Sequence, residues 1–295
     1  MRDFLRSLKN EVLLMDSAMG SMLQRAGLKT GIEYGEVWNL TNREKVQAVH
    51  RANVEAGSDI ILTNTFGGGR FKLIQYGLAD QAYEINRRAA ENAREVAGDS
   101  VFVAGDMGPS GEILESSGGT RKVEEVYETF KEQAVALAEG GVDLIIVETM
   151  MDGEEARAAI GAAKEHTGLP VIGSMAFSRT KQGFRTQWGV DPARAAREMA
   201  SVGADVVGAN CMVGIEDMVE LMAAFRTATD DYLIAQPNAG NPEVVDGVTV
   251  YRQTAEEMAE RAADLLKAGA KIIGGCCGTT PEFVRLTAEI VKGKA

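Results

Sequence analysis

Three cysteines carry the most readable chemistry in this 295-residue sequence. Cys276 and Cys277 are adjacent within the run Gly274-Gly275-Cys276-Cys277-Gly278-Thr279, and Cys211 precedes them in the chain. An odd number of cysteines with this spacing is not a disulfide framework, so metal binding or catalysis is the better interpretation for a protein in a reducing compartment. Three thiolates with one open coordination position are typical of a catalytic zinc site.

Two other interpretations of the adjacent pair stay open from its residues alone. Free cysteines are often small, buried, hydrophobic residues. An adjacent pair can also close a vicinal disulfide, which is strained and disfavoured in a reducing compartment. The flanking glycines favour a site, because glycine allows the backbone to approach a ligand closely.

The elements that must position these cysteines alternate along the chain. Eight short, nearly continuous apolar runs predict buried parallel strands over 13–15, 60–63, 101–104, 144–147, 171–175, 206–209, 233–235 and 272–274. Between them, helical periodicity predicts helices over 43–56, 80–97, 123–140, 154–167, 192–202, 216–228 and 254–268, and a last helix opens at Thr280-Pro281.

This repeated unit predicts an α/β fold, a single (β/α)8 TIM barrel, and an amphipathic N-terminal helix over 1–11 precedes it. An open doubly wound sheet is the alternative, and it fits less well because no second domain is visible. We expect one domain over 1–295 with its active site at the carboxyl ends of the strands, where TIM barrels carry their chemistry.

The residues that directly follow the predicted strands would therefore lie at the mouth of the barrel. They are Asp16, Asn64, Asp106, Glu148, Ala176, Asn210, Cys211, Gln236, Pro237, Asn238, Cys276 and Cys277. All three cysteines belong to this set, after strands six and eight, which lie near one another around a barrel mouth. We therefore predict that they form a single site.

The net charge and the hydropathy of the sequence argue against some classes of binding partner. The formal net charge is −12 and the isoelectric point is about 4.8, which argues against nucleic acid and anionic membranes as partners. The N-terminal segment lacks the apolar core of a signal peptide, and no apolar stretch approaches the ~18 residues of a membrane span. We expect a cytoplasmic protein.

Seven segments follow one another from residue 13 onward. They are Met15-Asp16-Ser17-Ala18-Met19-Gly20, Thr63-Asn64-Thr65-Phe66, Gly105-Asp106-Met107-Gly108-Pro109, Val147-Glu148-Thr149-Met150, Gly208-Ala209-Asn210-Cys211, Pro237-Asn238-Ala239-Gly240 and Gly275-Cys276-Cys277-Gly278-Thr279. In this order they resemble the homocysteine S-methyltransferase family, a family of zinc-dependent barrels. It includes the homocysteine-binding module of cobalamin-dependent methionine synthase and betaine–homocysteine methyltransferase.

The resemblance implies roles for particular residues. Cys211, Cys276 and Cys277 would be the zinc ligands and the catalytic residues. Asn238 would give an oxygen to the metal until the substrate sulfur displaces it, and Glu148 would hold the substrate ammonium.

The remaining substrate contacts implied by the resemblance come from two other segments. The first loop, at Asp16, Ser17, Ala18 and Met19, would bind the amino-acid end of the substrate through its backbone, because successive amides form an anion-binding nest. Asn210 joins this substrate-binding set. Ser17 and Ser21 stand where many members carry glycine and threonine.

The implied reaction is methylation of homocysteine, or a related small thiol, to a thioether, which for homocysteine is methionine biosynthesis. The donor would be methylcobalamin, or another methylcorrinoid, on a separate protein. S-methylmethionine, S-adenosylmethionine or betaine are alternative donors. A second class of function is a subunit that turns over only when it is bound to its corrinoid partner.

A metal-free aldolase is a third interpretation. It would need a lysine at the end of a strand to form a Schiff base, and Lys181 and Lys271 do not end strands.

Overall fold

The computed structural model describes residues 3–29, 31–245 and 248–293. Its central sheet has eight parallel strands: β1 (Leu13–Leu14), β2 (Ile60–Leu62), β3 (Phe102–Met107), β4 (Leu144–Met150), β5 (Val171–Met175), β6 (Val206–Asn210), β7 (Tyr232–Gln236) and β8 (Ala270–Ile273). The strands pair in the order β1-β8-β7-β6-β5-β4-β3-β2. A parallel bridge between Met15 and Ile60 joins the two ends, so the prediction of a (β/α)8 barrel is confirmed.

Alternation along each strand explains why the runs are apolar throughout. One set of side chains fills the barrel interior: Leu13, Met15, Ile60, Leu62, Phe102, Ala104, Leu144, Ile146, Ile172, Val206, Ile234 and Ile272. The residues between them, such as Ile61, Val103 and Val207, point outward and pack against the helices. Because both faces are covered, hydrophobic residues are needed at every position.

At the carboxyl ends of five strands the inward positions become polar. We call these buried residues the polar layer: Asp106, Glu148, Ser174, Asn210 and Gln236. Asp106 follows the inward Ala104 by two residues and Glu148 follows the inward Ile146 by two, which is the period of a strand. The apolar interior of the barrel is therefore followed, at the carboxyl ends of the strands, by a layer of hydrogen-bonding groups.

The helices surround the barrel. They are α1 (Phe4–Asn10), α2 (Met19–Arg25), α3 (Trp38–Thr41), α4 (Arg43–Glu55), α5 (Arg70–Ile74), α6 (Ala82–Ala97), α7 (Val123–Glu139), α8 (Gly153–Thr167), α9 (Pro192–Ser201), α10 (Ile215–Arg226), α11 (Ala255–Glu260), α12 (Ala262–Lys267) and α13 (Pro281–Val291). None of these helices is long and apolar enough to cross a bilayer, within the residues that the structure describes.

Three features differ from the predicted elements. The helix predicted over 254–268 is divided at Arg261, whose N–H donates to Met258 three residues back and not four. Two antiparallel hairpins lie outside the barrel, at Ser178–Thr180 with Gly183–Arg185 and at Glu243–Val245 with Val248–Val250. Residues 1 and 2 of the predicted N-terminal helix lie outside the described residues.

Helix α1 closes the amino-terminal end of the barrel. Phe4 and Leu8 are buried against the interior set, and the Phe4 ring meets Phe102 edge to face with 5.7 Å between centroids. We expect Phe4→Ala to lower the free energy of unfolding by about 3 kcal/mol, as for other buried aromatic residues. Chemical denaturation measures this loss. Leu5→Ala on the exposed side of the same helix should change it by less than about 0.5 kcal/mol, and equal losses would contradict the packing described.

Candidate metal and substrate site

The three cysteines meet at the barrel mouth because β7 lies between β6 and β8. Cys211 follows β6, and its N–H donates to the carbonyl of Gln236 on β7 at 3.1 Å. The N–H of Cys276 donates to the carbonyl of Pro237 at 2.9 Å. Cys211 Sγ lies 3.8 Å from Cys277 Sγ, and all three sulfurs lie within 4.8 Å of one another. The segment after β7 thus aligns the other two loops.

This sulfur spacing fits zinc. A Zn–S bond of about 2.3 Å and tetrahedral angles place two thiolate sulfurs about 3.8 Å apart. Among the described residues the candidate metal cluster is formed by cysteines alone, and neither histidine belongs to it. Soft sulfur donors are also the ligands that zinc prefers over the harder divalent cations.

The pKa values of the three cysteine thiols also favour a metal site. Hydrogen bonds from Cys211 and Cys276 lower the pKa of Cys277 to about 3. Hydrogen bonds to Cys211 and Cys277, together with burial, raise the pKa of Cys276. Although a hydrogen bond from Cys276 opposes it, the neighbouring Cys277 thiolate helps to raise the pKa of Cys211 to about 12. One thiolate is favoured and two more are opposed, and a bound cation would offset that opposition because it stabilises negative charge.

The cysteines form one wall of a cavity of about 560 Å³. Asp106, Glu148 and Gln236 of the polar layer contribute to its deep end. Aromatic side chains, among them Tyr34 and Phe66, line its outer part. The cavity is therefore polar and acidic where it is deep and apolar where it opens.

Two carboxyl groups of the cavity lining, Glu148 and Asp106, and the buried Asp16 near them lack some of the partners that buried charges need. Burial and the negative charge at Cys277 raise the pKa of Glu148 to about 8. Burial is the main cause of raised pKa values at Asp16 and Asp106 as well, and repulsion from Glu148 adds to both. One oxygen of each, and Oε1 of Gln236, has no hydrogen-bond partner among the described residues. Such a group of acceptors is suited to a cation that carries several N–H donors.

The structure brings only some of the predicted site residues to the cavity wall. Ser17, Ala18, Met19 and Glu148 line the cavity together with all three cysteines.

Asp16, Asn210 and Asn238 are buried and do not line the cavity. Asp16 accepts a hydrogen bond from the N–H of Leu62 at 2.9 Å. Asn238 Oδ1 is without a hydrogen-bond partner in the described structure, while the N–H of the next residue, Ala239, donates to the carbonyl of Cys277 at 2.9 Å.

The amides of the first loop are partly used within the protein. The N–H of Ser17 donates to Asn53 Oδ1 at 3.0 Å, and the N–H of Ala18 donates to Thr279 Oγ1 at 3.2 Å. Helix α2 begins at Met19, and the first amides of a helix have no acceptor within it. The amides of this loop that have no acceptor within the helix therefore include those of Met19 and Gly20.

Sequence reasoning missed two residues that hold the cysteines. Thr279 Oγ1 donates to the carbonyl of Cys276 at 2.7 Å and so connects the substrate loop to the cysteine loop. Tyr251 follows the second hairpin, and its side chain approaches Cys277 closely enough to help lower the pKa of that thiol. Thr279 lies in the Gly275–Thr279 segment that resembles the family, so the sequence could have indicated it. No motif in the sequence around Tyr251 indicates a site residue.

Comparisons with known proteins bear on the family and the fold. The sequence pattern of the homocysteine S-methyltransferase family matches residues 13–291. The homocysteine methyltransferase MmuM from Escherichia coli, in its metallated form, has a TM-score of 0.79 at 21% identity, over 97% of this chain and 99% of that chain. Its oxidised form also has a TM-score of 0.79, at 22% identity, over 98% and 100%.

A less similar structure is the carboxyl transferase domain of Rhizobium etli pyruvate carboxylase, with a TM-score of 0.55 at 15% identity. This chain is covered over 97% of its length and that chain over 48%. At these identities the structural likenesses show the barrel fold alone.

Proposed function

Because the chain belongs to the homocysteine S-methyltransferase family, we propose that it methylates homocysteine to methionine at a zinc ion held by Cys211, Cys276 and Cys277. The observation that carries the proposal is the 3.8 Å separation of two sulfurs in a three-cysteine cluster on the cavity wall. The acceptor-rich deep end, at Glu148 and Asp106, supports an amino acid as the substrate.

When bound, zinc would turn the substrate thiol into a thiolate at neutral pH. A free thiol with a pKa near 8.5 is only about 3% ionised at pH 7, so full ionisation raises the reactive fraction roughly thirtyfold. Three cysteinate ligands leave a net charge of −1 on the metal unit. That charge keeps the substrate sulfur electron-rich and nucleophilic.

The chain's own residues fix the other end of the substrate. Glu148 and Asp106 accept from the ammonium, and Gln236, which is hydrogen-bonded to Glu148, offers its unpaired Oε1 as a third acceptor. The substrate carboxylate is placed against the amides at Met19 and Gly20. Held at both groups, the amino acid directs its sulfur toward the cysteines.

Asn238 supplies the exchangeable oxygen in this proposal. Its Oδ1 is buried and has no hydrogen-bond partner among the described residues, and its backbone N–H donates to the carbonyl of Val213, two residues beyond Cys211, at 2.9 Å. A neutral amide oxygen is a weaker ligand for zinc than a thiolate. With zinc bound, Asn238 would therefore be the ligand that the substrate sulfur could replace.

In the transfer step the substrate sulfur attacks the methyl carbon and forms the new S–C bond. The bond between the methyl group and the donor breaks in the same step. For an alkylcobalt donor, its electron pair stays with the donor. The thiol proton has already left to solvent, so no side-chain base is required, and the neutral thioether product is a poor zinc ligand.

We propose a methylcorrinoid on a separate, cytoplasmic protein as the donor. Large apolar side chains are exposed on the segments that follow the barrel strands and so surround the mouth: Ile32, Phe66, Ile74, Tyr76, Ile113, Trp188, Met212, Val244 and Val245. An apolar rim of this kind is typical of a protein-binding surface. It supports a donor that docks over the mouth.

The test begins with metal content and continues with a panel of donors. We expect one zinc per chain, and methionine formation that a chelator abolishes and added zinc restores. With homocysteine as acceptor, a methylcorrinoid protein should support turnover, whereas free methylcobalamin, S-methylmethionine, S-adenosylmethionine and betaine should be slow or silent. Fast turnover with a small donor would disprove the corrinoid partner and leave homocysteine methylation in place. A metal-free, fully active protein would disprove the zinc site.

A further inference from the structure

Asn210 stands at the centre of the polar layer but does not reach the cavity. It is the last residue of β6, and its side chain is fully buried. Four hydrogen bonds use its amide completely. Oδ1 accepts from the Thr149 N–H at 2.8 Å and from Ser174 Oγ at 2.7 Å, and Nδ2 donates to Thr149 Oγ1 at 2.6 Å and to Cys276 Sγ at 3.8 Å.

The orientation of this amide follows from the chemistry of its partners. The backbone N–H of Thr149 can only donate, so the group facing it must be the oxygen of Asn210. The NH2 group must then face the other way, toward Cys276. A carbonyl oxygen there would oppose a thiolate, whereas an N–H donor stabilises it. The sulfur is therefore the acceptor in this contact.

The same amide also fixes the backbone next to Glu148. Thr149 directly follows Glu148 and has a φ of 60°, in the left-handed region that residues with a branched Cβ rarely adopt. Two hydrogen bonds hold Thr149 there: its N–H donates to Asn210 Oδ1, and its Oγ1 accepts from Asn210 Nδ2. Strained residues of this kind persist only where the surroundings hold them firmly.

We propose that Asn210 is a positioning residue that sets the donor strength of the Cys276 sulfur toward the metal and fixes the strand end that carries Glu148. This role replaces the substrate contact predicted for Asn210 from the sequence, since all of its hydrogen-bonding groups have protein partners. It rests on the metal site of the proposed function. Mutation of a group that hydrogen-bonds to a metal ligand typically lowers metal affinity by about 10–100-fold.

Asn210→Asp tests the proposal because it keeps the shape and the acceptor oxygen but replaces the N–H donor with an oxygen. We expect zinc affinity, measured by competition with a chromogenic chelator, to fall about 10–100-fold. In the cobalt(II)-substituted protein the sulfur-to-cobalt charge-transfer band should move to lower energy, because the sulfur has lost its hydrogen bond. Ser174→Ala removes one donor to Oδ1 and leaves both N–H groups, so its affinity should stay within about twofold and its band should not move.

A second measurement on the unmutated protein covers the case in which Asn210→Asp does not fold. In 15N-labelled protein loaded with 113Cd, the Asn210 side-chain proton should show scalar coupling to cadmium across the hydrogen bond. Absence of that coupling, or a folded Asn210→Asp protein with the parent's zinc affinity and cobalt band, would overturn the inference. An unmutated protein that binds no metal would instead overturn the zinc site itself, and the inference would fall with it.

Discussion

Cys276→Ser is expected to abolish both zinc binding and methionine formation. Structural zinc sites gain roughly 10–16 kcal/mol from all their ligands together, so one ligand of three or four contributes about 3–4 kcal/mol, or a few hundredfold in affinity. Loss of the metal also returns the substrate to its own ionisation, which removes about thirtyfold in rate before any loss of positioning. Metal analysis after dialysis and the rate of methionine formation measure the two effects.

The control for this variant is Met212→Leu, at an exposed position next to Cys211 in the same rim of loops. It changes a side chain on the mouth without changing a sulfur ligand. It should retain one zinc per chain. A Cys276→Ser protein that keeps its zinc and its rate would show that the cluster described here is not the catalytic metal site.

Glu148→Gln is expected to raise the KM for homocysteine by about 10- to 150-fold, with a smaller effect on kcat. The reason is the loss of a charged hydrogen bond to the substrate ammonium, which is worth about 1.5–3 kcal/mol. The thiolate end of the reaction does not depend on this residue directly, so saturating homocysteine should recover much of the rate. Steady-state kinetics at fixed donor concentration separate the two parameters.

Stability separates this role of Glu148 from a structural one. One carboxylate oxygen of Glu148 is buried without a partner in the described structure, and burial raises the pKa of the group, so its charged form opposes folding. The substrate-free Glu148→Gln protein should therefore unfold at a temperature no lower than the parent protein. Loss of stability together with an unchanged KM would assign Glu148 to the fold and remove it from the substrate site.

The barrel could be predicted because its signals are local and repeated. Each strand is covered on both faces, which produces an apolar run, and glycines such as Gly57 and Gly141 end the helices in left-handed conformations. The family resemblance read from seven short segments is confirmed by the match over 13–291. Strand ends were less accurate: Asp106 and Glu148, expected after their strands, lie within β3 and β4.

What the sequence did not reveal depends on contacts between distant segments. The first strand of the first hairpin, Ser178–Thr180, has three exposed residues, so it carries no hydrophobic alternation to detect. The bond from Asn210 to Cys276, and the approach of Tyr251 to Cys277, join residues that only the closed barrel brings together. The resemblance supplies the kinds of residues in the site, and the three-dimensional arrangement separates those that line the cavity from those that hold it in place.

The packing of α1 against the amino-terminal end of the barrel has a consequence for the kinetics of the proposed reaction. With Phe4 and Leu8 packed into the amino-terminal end, the mouth would be the route by which both reactants of the proposed transfer enter and the product leaves. The amino acid is proposed to lie deep, beneath the donor, so a docked donor traps it. Binding should then follow a compulsory order, amino acid first and donor second, and methionine should depart only after the spent donor has left. Product inhibition patterns would display that order directly.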